Sequence, residues 1–171
     1  MELKFLGNTK VKLPEIGLGT WQYQGDPANL KKGVEMGSFM IDTAENYGTE
    51  PIVGEAIRNI QDKVFIATKV SGSHLRYDQV IQAAEHSLSR LGINCIDLYQ
   101  IHWWDSTTPI EETLLALNDL TVKGKIRYFG CSNFNAWQVC ESLWTSKIRN
   151  INSFISVQPH YSILERKIED E

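Results

Sequence analysis

The chain has 171 residues, 42 % of them hydrophobic and 22 % charged, a balance that fits one soluble globular domain. Its formal net charge is −4, from 17 basic and 21 acidic side chains, with no basic block, which argues against nucleic acid as a partner. No apolar run is long enough to span a bilayer, and Met1-Glu2-Leu3-Lys4-Phe5 holds no signal core, so neither a membrane nor export is expected. Three cysteines, Cys95, Cys131 and Cys140, are odd in number and lack metal-ligand spacing. They read as reduced, mostly buried thiols of a cytoplasmic protein.

In chain order, Leu3 to Leu13 reads as a small hairpin, with Gly7-Asn8 as its turn and Pro14 ending the second arm. A short strand, Ile16 to Gly19, precedes Thr20-Trp21. Asp26-Pro27 opens a helix, as N-cap and first helical residue, and Gly37 closes it. Phe39-Met40-Ile41 is an apolar run of the kind buried on both faces, and it stops at Asp42. Thr49 to Ile60 keeps Ile52, Val53, Ala56, Ile57 and Ile60 on one helical face. Val64 to Thr68 is the next strand, ending at Lys69.

Arg76 to Leu91 has clear helical spacing in Tyr77, Val80, Ile81, Ala84, Leu88 and Leu91, and Gly92 stops it. Cys95 to Ile101 is a strand ending at His102. Thr108-Pro109-Ile110-Glu111 reads as a capping box opening a helix that runs to Lys123, with Gly124 as C-cap. Ile126 to Cys131 is a strand ending at Ser132-Asn133. A helix with Trp137, Cys140 and Leu143 on its inner face follows. Phe154 to Val157 is the last strand, ending at Gln158, and the charged segment from Glu165 to Glu171 is expected to be poorly ordered.

Strands begin near positions 39, 64, 96, 126 and 154, about 25 to 32 residues apart, with a helix in each gap. This is a repeating βα unit and predicts a parallel sheet with right-handed crossovers. A doubly wound nucleotide fold would show a glycine-rich phosphate loop after its first strand. Gly17-Leu18-Gly19-Thr20-Trp21 lacks the third glycine, so the barrel is preferred. The strand ends are all polar: Asp42, Lys69, His102, Ser132-Asn133 and Gln158. Each has an ordinary reading alone, as a cap, a solvated lysine or a packed imidazole. Five in succession at the C-terminal mouth of a parallel barrel point to a site.

The same residues carry a resemblance to the aldo-keto reductases. The matching stretches are Gly17-Leu18-Gly19-Thr20-Trp21, Asp42 to Gly48 with Glu50 and Gly54, Ala67-Thr68-Lys69, Asp97 to His102, and Gly130-Cys131-Ser132-Asn133-Phe134. They run in the family's order and spacing from about Leu3 onward. The resemblance implies an α/β fold of the (β/α)8 TIM-barrel type, here truncated to about six βα strands with an N-terminal β-hairpin. Residues 1–14 would be the hairpin and 15–171 the barrel units of a single domain.

It further implies an NADP(H)-dependent oxidoreductase that reduces aldehydes or ketones to alcohols by hydride transfer. The family's catalytic tetrad falls on Asp42, Tyr47, Lys69 and His102, with Tyr47 as general acid. Cofactor contacts would come from Gly19, Thr20, Trp21, Asp42, Ser132, Asn133 and Gln158, and substrate contacts from Trp21, Tyr47, His102 and Trp103. The partner would be a small-molecule carbonyl substrate, and no metal is implied. Chemically, a free tyrosine with a pKa of about 10 is a weak donor near pH 7. A lysine ammonium ~4 Å away in a half-buried site would lower that value by up to about 3. Asp42 would hold Lys69 charged, and His102 would orient the carbonyl.

Two departures stand out. Trp104 occupies a position where many members have proline. A complete barrel also needs eight strands and at least ~200 residues. The part not represented here carries, in the family, the pyrophosphate loop, an aromatic that stacks on the nicotinamide, and the basic residues for the 2′-phosphate. Weak NADPH binding and self-association through exposed barrel edges are therefore expected of these 171 residues alone. The competing readings are a catalytically silent scaffold that keeps this half of the fold, and a metal-dependent barrel hydrolase using Asp42 and His102. The second lacks a further histidine at a strand end, since His74 and His86 fall in a loop and a helix and His160 follows the last strand.

Overall fold

A computed structural model of the chain describes residues 1–170. Leu3–Phe5 (β1) and Lys12–Pro14 (β2) pair antiparallel, with Leu3 opposite Pro14. Then come Leu18–Gly19 (β3), Pro27–Glu35 (α1), Met40–Asp42 (β4), Glu50–Ile57 (α2), Phe65–Val70 (β5) and Tyr77–Leu91 (α3). Ile96–Ile101 (β6), Ile110–Val122 (α4), Ile126–Ser132 (β7), Ala136–Arg149 (α5) and Val157–Gln158 (β8) complete the order. Strands β3 to β8 form one parallel six-stranded sheet in sequence order, with a helix in each gap from β3 to β8. The sheet curls into a half-barrel, the truncated barrel preferred over a doubly wound sheet.

Side chains alternate across each strand, and the two faces have different partners. Ile41, Ile66, Tyr99, Ile101, Phe129 and Cys131 pack outward against the helices, with Val53, Leu88, Leu114 and Leu117 among their neighbours. Phe65, Ala67 and Leu98 point inward, where Leu13 of β2, with Leu6 and Val11, covers them. The hairpin therefore covers the N-terminal end of the inner face. The opposite, C-terminal end is left for polar groups.

Helices α2 and α3 approach closely. A Cβ on Gly54 would lie 2.7 Å from the Leu91 carbonyl oxygen and 2.8 Å from that of Arg90, so no larger residue fits without moving backbone. The same contact buries the Glu50 carboxylate: its Oε2 accepts from Arg90 Nε at 2.6 Å, and its Oε1 from Thr68 Oγ1 at 2.6 Å.

Several sequence expectations are corrected. Strand β5 runs past Thr68 to Val70, because the fully buried Val70 extends the outward apolar face and pairs with Ile101. Lys69 thus lies inside the strand and not at its tip. The helix expected from Thr49 to Ile60 ends at Ile57 and gives way to a 3-10 turn over Gln61–Lys63. No capping box forms at Thr108: its hydroxyl donates to Asp105 Oδ2 at 2.6 Å, Pro109 is the N-cap, and helix α4 begins at Ile110.

The inner face of α5 is not Trp137, Cys140 and Leu143, which are all exposed. Gln138, Ser142 and Ser146 are buried instead, one helical turn apart, where the helix lies close to its neighbour. Small polar residues suit that contact, while the apolar stripe looks away. Strand β8 is confined to Val157–Gln158, and Phe154 turns its ring edge-on to Phe129 and Phe134. Lys167–Asp170 forms a 3-10 turn, and Glu171 lies outside the described residues.

The Gly54 contact gives a direct test. Alanine favours helices over glycine by about 1 kcal/mol. Because the clash is with backbone, Gly54→Ala is expected to destabilise the chain by about 1–3 kcal/mol despite that gain. A urea melt with a higher midpoint than wild type would show that α2 and α3 separate freely.

Candidate active site

The inward parity of each strand continues upward into the polar cluster. Met40 leads to Asp42, Phe65 and Ala67 to Lys69, and Leu98 and Gln100 to His102. Register adds a climb. Asp42 pairs with Ala67, two residues below Lys69, and Lys69 pairs with Gln100, two residues below His102. This stagger, a property of tilted barrel strands, brings three functional side chains from neighbouring strands together at rising heights.

Lys69 is the centre of the cluster. It is 1 % exposed, and its Nζ donates to both oxygens of Asp42 at 2.7 Å and to the Thr43 carbonyl at 3.0 Å. All three donors of the ammonium are used. Burial pushes the lysine pKa down, and the charge and hydrogen bonds of Asp42 oppose that shift. Asp42 is held in turn from behind, where Thr20 Oγ1 donates to its carbonyl at 3.0 Å and lies 3.0 Å from Thr49 Oγ1.

Tyr47 closes a 3-10 turn, Glu45–Tyr47, that ends at Gly48 in the left-handed region at φ 69°. That backbone angle favours glycine and turns the chain into α2. The Tyr47 ring sits 5.2 Å from Lys69 Nζ, and its hydroxyl lies 3.5 Å from His102 Nε2. The two rings meet edge-on, with centroids 5.4 Å apart. His102 Nδ1 is buried and has no hydrogen-bond partner among the described residues. Burial lowers the His102 pKa, Lys69 lowers it further, and Asp42 and Glu45 act the other way. The imidazole is thereby kept neutral near pH 7.

The electrostatics of Tyr47 correct the sequence-based argument. Its pKa is raised, first by burial and then by the Asp42 carboxylate. Lys69 does not dominate because its charge is already matched by Asp42 at 2.7 Å. The phenol accordingly stays protonated throughout the physiological range.

Ser132, Asn133 and Gln158 form a second group beside the first. Ser132 Oγ donates to the Gln158 carbonyl at 2.8 Å, and Asn133 Nδ2 donates to Ser132 Oγ at 3.0 Å and to the His102 carbonyl at 3.1 Å. Gln158 Oε1 accepts from Gln100 Nε2 at 2.8 Å. Asn133 adopts the left-handed region at φ 56°, a conformation asparagine tolerates better than most residues. Asn133 Oδ1 and Gln158 Nε2 carry no hydrogen bond among the described residues. One acceptor and one donor are thus left on two residues whose backbones are joined, Asn133 N–H donating to the Gln158 carbonyl at 3.2 Å.

Of the remaining residues singled out from sequence, Trp21 and Trp103 are exposed at 70 % and 54 %, and Gly19 is open. Thr20 is fully buried, with its hydroxyl committed to Asp42 and Thr49. Trp103 stacks on His102 with centroids 6.2 Å apart, and Trp104 packs edge-on against Phe134 and Trp137. Sequence reasoning missed Thr43, Glu45, Gln100 and Ser71. Gln100 had a signal, since it is polar at an inward position two residues after the apolar Leu98. The Thr43 contribution is a carbonyl and has none. Among the described residues, no three His, Cys, Asp or Glu side chains are placed to hold a metal ion. No described helix is long and apolar enough to cross a membrane.

Six parallel strands in βα order, with a polar cluster at the C-terminal mouth, define a barrel-type α/β protein. The chain belongs to the aldo-keto reductases: the model of the Aldo/keto reductase family matches residues 15–171. The chain is 37 % identical to methylglyoxal reductase YeaE of Escherichia coli, across 98 % of this chain and 60 % of that protein. A crystal structure of the thermostable aldo-keto reductase Tm1743 with the inhibitor epalrestat superposes with a TM-score of 0.93 at 37 % identity. That match covers 99 % of this chain and 66 % of the other. An aldo/keto reductase from Klebsiella pneumoniae, crystallised with NADP and acetate, matches 79 % of this chain and 50 % of its own at TM-score 0.74 and 38 % identity. The chain therefore spans between half and two thirds of the length of these relatives.

The depressed His102 pKa has a measurable consequence. Below the ordinary histidine value of 6.5 the unfolded chain takes up a proton that the folded chain refuses. Stability from this group is full above pH 6.5 and is lost as pH falls toward the folded value. Stability of wild type is expected to drop more steeply between pH 7.5 and 5.5 than that of His102→Gln, measured by urea unfolding. Parallel curves would show that His102 titrates normally.

Proposed function

We propose that the chain carries the catalytic part of an NADP(H)-dependent oxidoreductase that reduces aldehydes or ketones to alcohols. The observation that supports this most is the packing of Asp42, Lys69, Tyr47 and His102 into one half-buried cluster at the barrel mouth. Family membership and the NADP-bound Klebsiella relative support the choice of cofactor. The free acceptor on Asn133 and free donor on Gln158 fit a carboxamide, which offers one amine and one carbonyl.

Bound NADPH supplies the hydride. The work of this chain's residues is the proton. Tyr47 donates its phenolic hydrogen to the carbonyl oxygen, so its O–H bond breaks as the alcohol O–H bond forms. The raised pKa keeps that donor loaded at neutral pH, and the alkoxide it meets is a far stronger base. His102, neutral and 3.5 Å from the phenol, orients the oxygen by a second hydrogen bond. Lys69 stands 5.2 Å from the Tyr47 ring and holds it in place, and Asp42 fixes Lys69. Trp21 and Trp103 offer exposed aromatic walls to the substrate.

The test uses NADPH consumption with methylglyoxal, the substrate in the name of the E. coli relative. Tyr47→Phe is expected to lower kcat by about 100-fold or more while leaving NADPH affinity unchanged. More than about a tenth of kcat retained would overturn the role of Tyr47. Lys69→Met should cost about as much, and the double variant little more, because the two act as one unit. Additive losses would mean separate roles. A folded chain that binds NADPH without turnover would favour the silent scaffold.

A further inference from the structure

The turn that presents Tyr47 is too short to hold itself. Glu45–Tyr47 is three residues long, a single 3-10 turn whose bonds include Tyr47 N–H to the Ala44 carbonyl at 3.0 Å. Ala44 before it is extended, Gly48 after it is left-handed, and no side chain caps the turn. Gly48 is also the residue type with the greatest backbone freedom. Something outside the turn must fix the phenol.

Glu45 meets that need. Its side chain is 8 % exposed, and Oε1 accepts from the backbone N–H of Ser71 and from His74 Nδ1 at 3.0 Å. The next residue repeats the link, since Asn46 Nδ2 donates to Ser71 Oγ at 3.1 Å. Ser71 follows β5 directly and stands two residues after Lys69. The two strands that carry the cluster are therefore tied twice. Asp42 grips Lys69 on one side, and Glu45 grips Ser71 on the other. Together they close a ring through Asp42, Thr43, Ala44, Glu45, Ser71, Val70 and Lys69. Such a ring leaves Tyr47 little freedom to swing away from Lys69 and His102.

We propose that Glu45 is a positioning residue for Tyr47, clamping the turn that carries the phenol to the backbone of Ser71. A carboxylate is costly to bury without partners, so its burial needs these hydrogen bonds. The geometry asks for reach as well as an acceptor. Aspartate keeps the charge but is one methylene shorter, whereas glutamine keeps the length and a carbonyl oxygen for the Ser71 N–H. This inference rests on the proposed role of Tyr47, and its test has a readout independent of turnover.

The experiment compares Glu45→Asp with Glu45→Gln in the full chain, with tyrosine rings labelled for NMR and the Tyr47 signal assigned through Tyr47→Phe. Glu45→Asp is expected to move the Tyr47 ring resonances away from their wild-type positions while those of Tyr128 and Tyr161 stay in place. Glu45→Gln is expected to restore them. In the methylglyoxal assay, Glu45→Asp should lose kcat on the order of 10- to 100-fold with NADPH affinity unchanged, and Glu45→Gln should stay near wild type. Tyr47 resonances unmoved in Glu45→Asp would overturn the clamp, as would equal displacement in both variants, which would make charge and not reach the essential property. Absence of wild-type turnover would count against the proposed function, while the NMR comparison would still decide the clamp.

Discussion

The contact on which this structure depends is the buried ion pair between Lys69 and Asp42. An ammonium ion with 1 % exposure would be strongly destabilising if left alone. Two carboxylate oxygens at 2.7 Å and one backbone carbonyl at 3.0 Å satisfy it. The arrangement demands that β4 and β5 lie side by side with Asp42 opposite Ala67, so that Lys69 reaches back by two residues. A slip of one residue would turn Lys69 outward among Ile66, Val70 and the helices, away from Asp42 and the barrel mouth. The pair therefore fixes register as well as chemistry.

The same pair sets the electrostatics of its neighbours. Because Asp42 neutralises Lys69 at close range, Tyr47 feels burial and the carboxylate more than the ammonium, and its pKa rises. His102 feels burial first and Lys69 second, and its pKa falls. One pair thus favours neutral forms of both groups that face it. Two uncharged hydrogen-bonding groups, 3.5 Å apart, suit the handling of a developing oxyanion better than a fixed cation–anion pair would. Charge is kept one layer back, where Asp42 and Glu45 are each anchored by backbone or side-chain donors.

Around this core the fold divides its labour by parity. Outward residues of β4 to β7 are apolar and meet the helices. Inward residues are apolar at the hairpin end and polar at the mouth. Helix α5 departs from this pattern: it buries Gln138, Ser142 and Ser146 and presents Trp137, Leu143, Trp144 and Ile148 outward, all exposed. Relatives that share this half-barrel are longer, and this chain covers 60 % of methylglyoxal reductase YeaE.

The strands, their order and the polar residues that mark their ends were legible in the sequence, because a βα repeat and an alternation of apolar with polar residues are local patterns. Asp42, Lys69, His102, Ser132, Asn133 and Gln158 could all be named from that pattern. The sequence by itself also placed the hairpin, the Asp26 cap and the stop at Gly92. It misplaced the buried face of α5, since periodicity finds a stripe but cannot tell which flank has a neighbour. It placed a capping box at Thr108 because it could not see Asp105 taking that hydroxyl. It took Lys69 to lower the Tyr47 pKa, which was a statement about distance. Only the tertiary structure decides distances: Asp42 stands closer to Lys69 than the phenol ring does, and Coulomb's law gives the nearer charge the larger say. Glu45 and the Thr43 carbonyl enter the cluster for the same reason, because strand stagger, which no local pattern encodes, carries them there.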